Sequence, residues 1–114
     1  MKNSVIAKVL SDIADLLEMK GENQFKIRAY QQASRAIEQL PVEIEQMVRE
    51  GQCLEEIPGV GDAIAKKTME LVTTGRLRYY DDLKAEFPEG ISTLLDIPGI
   101  GPKTAMRLYN ERGV

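Results

Sequence analysis

The chain has 114 residues and a net charge of −3, and 43 % of its residues are apolar, enough for one domain, or one domain and the start of another. It has no His, which removes Ser–His and Cys–His nucleophile pairs, imidazole acid–base chemistry and Cys/His zinc sites. The single Cys53 leaves no internal disulfide, which points to a reducing, cytoplasmic setting.

The first segment carries no signal-peptide pattern, because Lys8, Asp12 and Asp15 interrupt its apolar residues. Instead Val5, Ile6, Val9, Leu10, Ile13, Leu16 and Leu17 fall on one helical stripe. Asn3 or Ser4 is the expected cap and Gly21 the stop. A second helix is expected over residues 24–39, with Phe25, Ala29, Ala33, Ala36, Ile37 and Leu40 as its apolar face. Pro41 suits the first turn of a third helix, with Ile44, Met47 and Val48 inward and Gly51 at its end. A helical turn at "CLEE" leads to "IPGVGDAIAKK", residues 57–67.

The helix after "IPGVG" runs to about residue 74, closed by Gly75, with Ile64, Thr68, Leu71 and Val72 as its buried stripe. "YYDDLKAEF" reads as a helix that stops at Pro88, and "GISTLLD" as a short one. "IPGIGPKTAMR" then repeats the earlier motif at residues 97–107, and "PKTAMRLYNER" is the last helix. No segment alternates with period two, so the expected class is all-α: a compact helical domain with two helix–turn–helix corners. No apolar run approaches the roughly 20 residues that cross a bilayer.

Each repeat joins two helices through Pro-Gly-apolar-Gly. Glycines permit positive φ and close backbone approach, and Val60 or Ile100 can plug the turn into the core. The N–H groups that open the next helix then face outward and favour an anion such as phosphate. Neither copy is a dinucleotide fingerprint, since Ile64 and Thr104 stand at the third glycine's place and no strand precedes. Charge follows the same pattern: both repeats are locally basic and the connecting segments hold the acid.

The repeated turn resembles the helix-hairpin-helix motif, which binds DNA backbones without sequence preference. "GENQFKIRAYQQASRAIEQLP" with "IPGVGDAIAKKTMELVTTGRLRYYDDL" further resembles the amino-terminal lyase region of X-family, or polymerase-beta-like, DNA polymerases, in its bacterial and archaeal branch. The resemblance implies a lyase-like unit over residues 1–80 and a second hairpin over 81–114, at the start of a polymerase portion. It implies base-excision repair and binding of gapped or nicked DNA with a 5′-phosphate. The sequence leaves the oligomeric state open, with a monomer as the expectation, and the absence of a long apolar run leaves no membrane contact expected. Lys26, Tyr30, Gly59, Val60, Gly61 and Ala63, with Gly99, Gly101, Lys103 and Thr104, match the DNA-contacting positions.

Lys67 matches the lysine that forms a Schiff base with an abasic sugar before β-elimination. A helical wheel puts Lys67 about 100° from the buried stripe and Lys66 about 160° away. An ordinary lysine amine is only about 0.1 % neutral near pH 7.4, so partial desolvation would help it attack. Ala63 and Tyr79 depart from the animal members, which carry phosphate-contacting lysines there. Relatives also hold Na⁺ or K⁺ on hairpin carbonyls; the matching positions are Glu55, Ile57 and Val60, then Leu95, Ile97 and Ile100. No other cofactor is implied for this region.

Polymerase chemistry needs clustered carboxylates for Mg²⁺. Asp81 and Asp82 are adjacent on a helix and point apart, so the nucleotidyltransferase centre is expected in a portion beyond Val114. Three other readings stand beside this one. They are a helix-hairpin-helix DNA-binding module without catalysis, an all-α protein-interaction domain, and a glycosylase-like piece with Lys103 as nucleophile.

Overall fold

A computed structural model describes residues 1–87 together with Ile97, Thr104, Ala105 and Arg107. Among these residues every regular element is helical. Helices α1 (Asn3–Lys20), α2 (Gln24–Glu38) and α3 (Ile44–Arg49) are followed by a 3-10 turn (Leu54–Glu56), then α4 (Asp62–Thr74) and α5 (Arg78–Ala85). The second hairpin's Leu95, Gly99, Ile100, Gly101 and Lys103 lie outside the described residues. No helix among the described residues is long and apolar enough to cross a membrane.

The α1–α2 hairpin is the backbone of the core. Ile6, Leu10, Ile13, Leu16 and Leu17 of α1 meet Ile27, Ala33 and Ile37 of α2, all essentially inaccessible. Burying each large aliphatic side chain contributes about 1.5–3 kcal/mol, so this seam outweighs any single polar contact. Ala33 and Ser34 keep the seam narrow, and the Ser34 hydroxyl donates to the Ala7 carbonyl at 2.7 Å. Gly21 closes α1 with φ +80°: its N–H donates to the Glu18 carbonyl and that of Glu22 to Leu17, a Schellman ending.

Three expectations need correction. Val5 is 47 % and Phe25 82 % exposed, so neither belongs to the buried faces read from the sequence. On α2 that face is instead Ile27, Tyr30, Ala33, Ser34 and Ile37. Asn3 does not cap α1. Its Oδ1 accepts the Ile44 N–H at 2.8 Å and its Nδ2 donates to the Val42 carbonyl at 2.7 Å. The Glu43 carboxylate in return accepts the Asn3 N–H at 2.9 Å. Each helix start is thus capped by the other segment, and α3 begins at Ile44 rather than at Pro41.

Helix α5 returns to α1. Its first N–H, on Arg78, donates to the Glu70 carboxylate at 2.8 Å. The Tyr80 hydroxyl donates to Asp12 Oδ2 at 3.0 Å, and Lys20 pairs with Glu86 at 2.8 Å. Asp81 pairs with Arg76 at 3.1 Å and Asp82 lies 4.0 Å from Arg78.

Beside this seam Asp15 is pushed up to about 6, first by burial and then by Asp12 and Glu18, with Lys8 opposing. A carboxyl raised in the folded state favours folding when protonated and opposes it once ionised. Its contribution therefore declines as pH rises from about 4 to 6. Asp15→Asn is expected to melt about 3–8 °C above wild type at pH 7.5. Below pH 4 thermal melts of the two proteins should coincide.

Candidate nucleic-acid interface

Four residues make the corner before α4. The Val60 N–H donates to the Ile57 carbonyl at 3.0 Å, closing a four-residue turn with Pro58 second and Gly59 third. Gly59 has φ +93°, which meets the requirement of a type II turn. A Cβ at residue 59 would lie 3.4 Å from Ala36 Cβ and 3.6 Å from the Gln32 carbonyl oxygen, so the turn rests directly on α2. Val60 and Ile57 are buried beneath it, the plugging role expected for Val60.

Gly61 differs from Gly59. Its φ is −85°, so no left-handed strain exists there, and of the pair only Gly59 uses the positive φ that a glycine permits. A Cβ at residue 61 would meet nothing within 4 Å, so this glycine borders open space. From here α4 starts without a side-chain cap. No turn or cap hydrogen bond among the described residues is donated by the N–H groups of residues 61–64. Residues 61–63 are exposed and Ile64 is buried, so the donors left without a partner open onto the surface at 61–63, with the Asp62 carboxylate in the same first turn.

The turn and the start of α4 form one wall of a cleft of about 580 Å³. Gly59, Gly61, Ala63 and Lys67 line that wall, and Lys26, Tyr30 and Gln32 of α2 line the other. Residues far apart in sequence thus share one concavity. Lys26 is exposed, Lys67 half-buried and Lys66 exposed. Lys66 borders a separate groove with Cys53 and Met69.

Tyr30 is only 3 % exposed, so its ring belongs to the core and only its edge reaches the cleft. Its ring stacks on Tyr79 of α5, with centroids 6.2 Å apart and planes 4° from parallel. Burial, and then the Tyr79 hydroxyl, push the Tyr30 hydroxyl well above its ordinary value, so it remains a neutral phenol. Tyr79 also gathers the lysines. Lys67 Nζ lies 4.8 Å and Lys26 Nζ 5.6 Å from its ring centroid. Sequence reading treated Tyr79 only as a departure from a lysine. The signal was the paired Tyr79–Tyr80 at the start of a polar helix.

For a monovalent cation, the carbonyls of Glu55, Ile57 and Val60 belong to the same corner. Pro58 has no N–H to offer the Glu55 carbonyl, and no turn or cap bond among the described residues ends on Glu55 or Val60. The Ile57 carbonyl already accepts one but keeps a second lone pair. Backbone carbonyl oxygens are the donor type that a hard cation such as Na⁺ or K⁺ takes. In the second copy Ile97 is 46 % exposed, Thr104 is helical and exposed, and Ala105 is fully buried.

Comparison with known proteins points the same way. A family described as "Helix-hairpin-helix domain" matches residues 1–77, and one described as "SAM-like Helix-hairpin-helix tandem" matches residues 91–114. The chain is 32 % identical over 114 residues to the DNA polymerase/3′-5′ exonuclease PolX of Bacillus subtilis (strain 168), covering 100 % of this chain and 19 % of that protein. It is 29 % identical over 110 residues to DNA polymerase lambda of Arabidopsis thaliana, covering 96 % of this chain and 20 % of that protein. The chain therefore spans about one fifth of the length of the curated relatives it matches.

The two glycines should separate under mutation. Gly59→Ala forces a Cβ into the left-handed region and should destabilise by about 1–2 kcal/mol. Gly61→Ala should stay within about 0.5 kcal/mol of wild type. Urea denaturation followed by circular dichroism measures both, and equal losses would contradict the turn assignment.

Proposed function

The chain belongs to the helix-hairpin-helix domain family, and from that premise we propose that it grips the sugar-phosphate backbone at gapped or nicked DNA as a region of an X-family repair polymerase. The observation that carries this reading is the cleft that joins Lys26, Tyr30 and Lys67 to the unpaired N–H groups opening α4. A terminal 5′-phosphate is the ligand with the matching charge and acceptor geometry. The amides supply partial positive charge from the backbone, so a net charge of −3 is no obstacle. Contacts to phosphate rather than base edges carry no sequence information. Residues 1–80 form the lyase-like unit in this proposal. Residues 81–114 contribute the second clamp through Gly99, Gly101, Lys103 and Thr104, and open the polymerase portion.

Half-buried Lys67 is the nucleophile for 5′-deoxyribose-phosphate lyase chemistry in the same proposal. Its neutral amine adds to the C1′ aldehyde and water leaves, giving an iminium. Loss of the C2′ proton to solvent then breaks the C3′–O bond, which leaves a 5′-phosphate on the DNA. Water finally releases the sugar from the amine. Two observations favour a second reading, binding without this chemistry. Ala63 supplies no charge to the cleft, and the Lys67 ammonium already sits over the Tyr79 ring.

Titration of gapped, nicked and intact duplexes in two sequences tests the grip. Gapped DNA with a 5′-phosphate should bind tightest, whatever its sequence. With about four phosphate contacts, affinity should fall roughly a hundredfold between 50 and 200 mM salt. Gly61→Val, which fills open space without backbone strain, should weaken binding while the helical spectrum persists. Equal affinity for all three duplexes would remove the gap clamp.

Borohydride trapping on an abasic 5′ end tests the chemistry. Lys67→Ala should lose most of the adduct while DNA affinity changes by no more than about threefold, and Lys66→Ala should trap normally. Adduct that persists in Lys67→Ala but vanishes in Lys103→Ala would point to the glycosylase-like alternative. No adduct in wild type would leave the binding module.

A further inference from the structure

Tyr79, from a third element, α5, sets an aromatic ring against three residues that line the cleft, Tyr30, Lys26 and Lys67. Its ring stacks on Tyr30, and both lysine ammonium groups lie within about 6 Å of its centroid, the working range of a cation–π contact. The lysines come from different helices and repel each other. Each also has a flexible stem whose rotamer freedom is lost when a ligand fixes it. A ring that attracts both cations offsets the repulsion and narrows the rotamers before a ligand arrives. Tyr79 is itself held, because Tyr30 is locked in the core and the neighbouring Tyr80 anchors α5 to Asp12.

We propose that Tyr79 is the positioning residue of the cleft: its ring holds Lys26 and Lys67 as one preorganised pair for a terminal phosphate monoester. The inference rests on the reading of the cleft as a DNA-end site and adds what makes that site selective for the phosphorylated end. The ring faces do this work and the hydroxyl does not, so phenylalanine should replace tyrosine and leucine should not. The ring adds no charge of its own. It trades electrostatic pull for order, so its effect should appear as discrimination between 5′ ends rather than as general DNA affinity.

The test uses the 114-residue chain as wild type, Tyr79→Phe and Tyr79→Leu, and needs two measurements. The first is the proton shift of the lysine ε-methylenes in the free protein. The ring current of Tyr79 should move those of Lys26 and Lys67 upfield in wild type and Tyr79→Phe but not in Tyr79→Leu. The second is affinity for a one-nucleotide gapped duplex with a 5′-phosphate or a 5′-hydroxyl. Wild type and Tyr79→Phe should prefer the phosphate about tenfold. Tyr79→Leu should lose most of that preference, with affinity for the hydroxyl form within about twofold of wild type.

Unshifted lysine resonances in wild type overturn the proposal without any variant having to fold. So does a phosphate preference that survives in Tyr79→Leu or disappears in Tyr79→Phe. Shifted resonances in a wild type that shows no phosphate preference would sustain the ring's hold on the lysines and refute the DNA-end reading, so the two failures are distinguishable.

Discussion

The site exists because the turn at residues 57–60 can lie flat on α2. That contact requires a backbone at φ +93° facing Gln32 and Ala36, a conformation that a side chain makes costly. Everything in the cleft follows from it. Val60 drops into the core, α4 starts beside α2, and the residues that carry the unpaired amides come to line one cleft with Lys26 and Tyr30. Gly61, two residues on, has an ordinary backbone and borders open space. One glycine of the pair shapes the fold and the other keeps room at its surface.

The same economy shows in the electrostatics. A chain of net charge −3 cannot rely on a basic coat, and the cleft concentrates what attraction there is. Two lysines, a run of backbone donors and Tyr30, backed by Tyr79, converge there, while carboxylates are spent elsewhere on capping and pairing. Glu43 and Glu70 cap α1 and α5, and Asp12 holds Tyr80. Asp62, in the first turn of α4, is the exception, an anion beside donors suited to another anion. Its presence makes the amides weaker partners for phosphate and increases what the lysines must contribute.

Much of this was legible in the sequence. The stripe from Ile6 to Leu17, the stops at Gly21 and Gly75, and the Pro-Gly-x-Gly corner at residues 58–61 all express short-range rules. Those rules place Lys67 at the margin of its helix and Lys66 outside it. What escaped is tertiary. Phe25 is apolar and in register, yet among the described residues no neighbouring element covers its side chain, and it stays exposed. Asn3 looked like a local cap, but its partners are some forty residues away. Tyr79 was visible only as a missing lysine, because nothing local says that α5 folds back toward Tyr30.

The exchange of caps between α1 and α3 has a kinetic side. Helix α3 has six residues, far too few to persist alone. Its first N–H depends on Asn3, while the Asn3 N–H depends on Glu43, so neither start is complete until a loop of some forty residues has closed. Such closure is entropically slow compared with the α1–α2 hairpin, whose contacts are local. The first turn of α1 and the whole of α3 should therefore assemble late and open early, as one cooperative unit. Hydrogen exchange at the amides of Asn3 and Ile44 would report that single opening, although the two residues are 41 apart in the sequence.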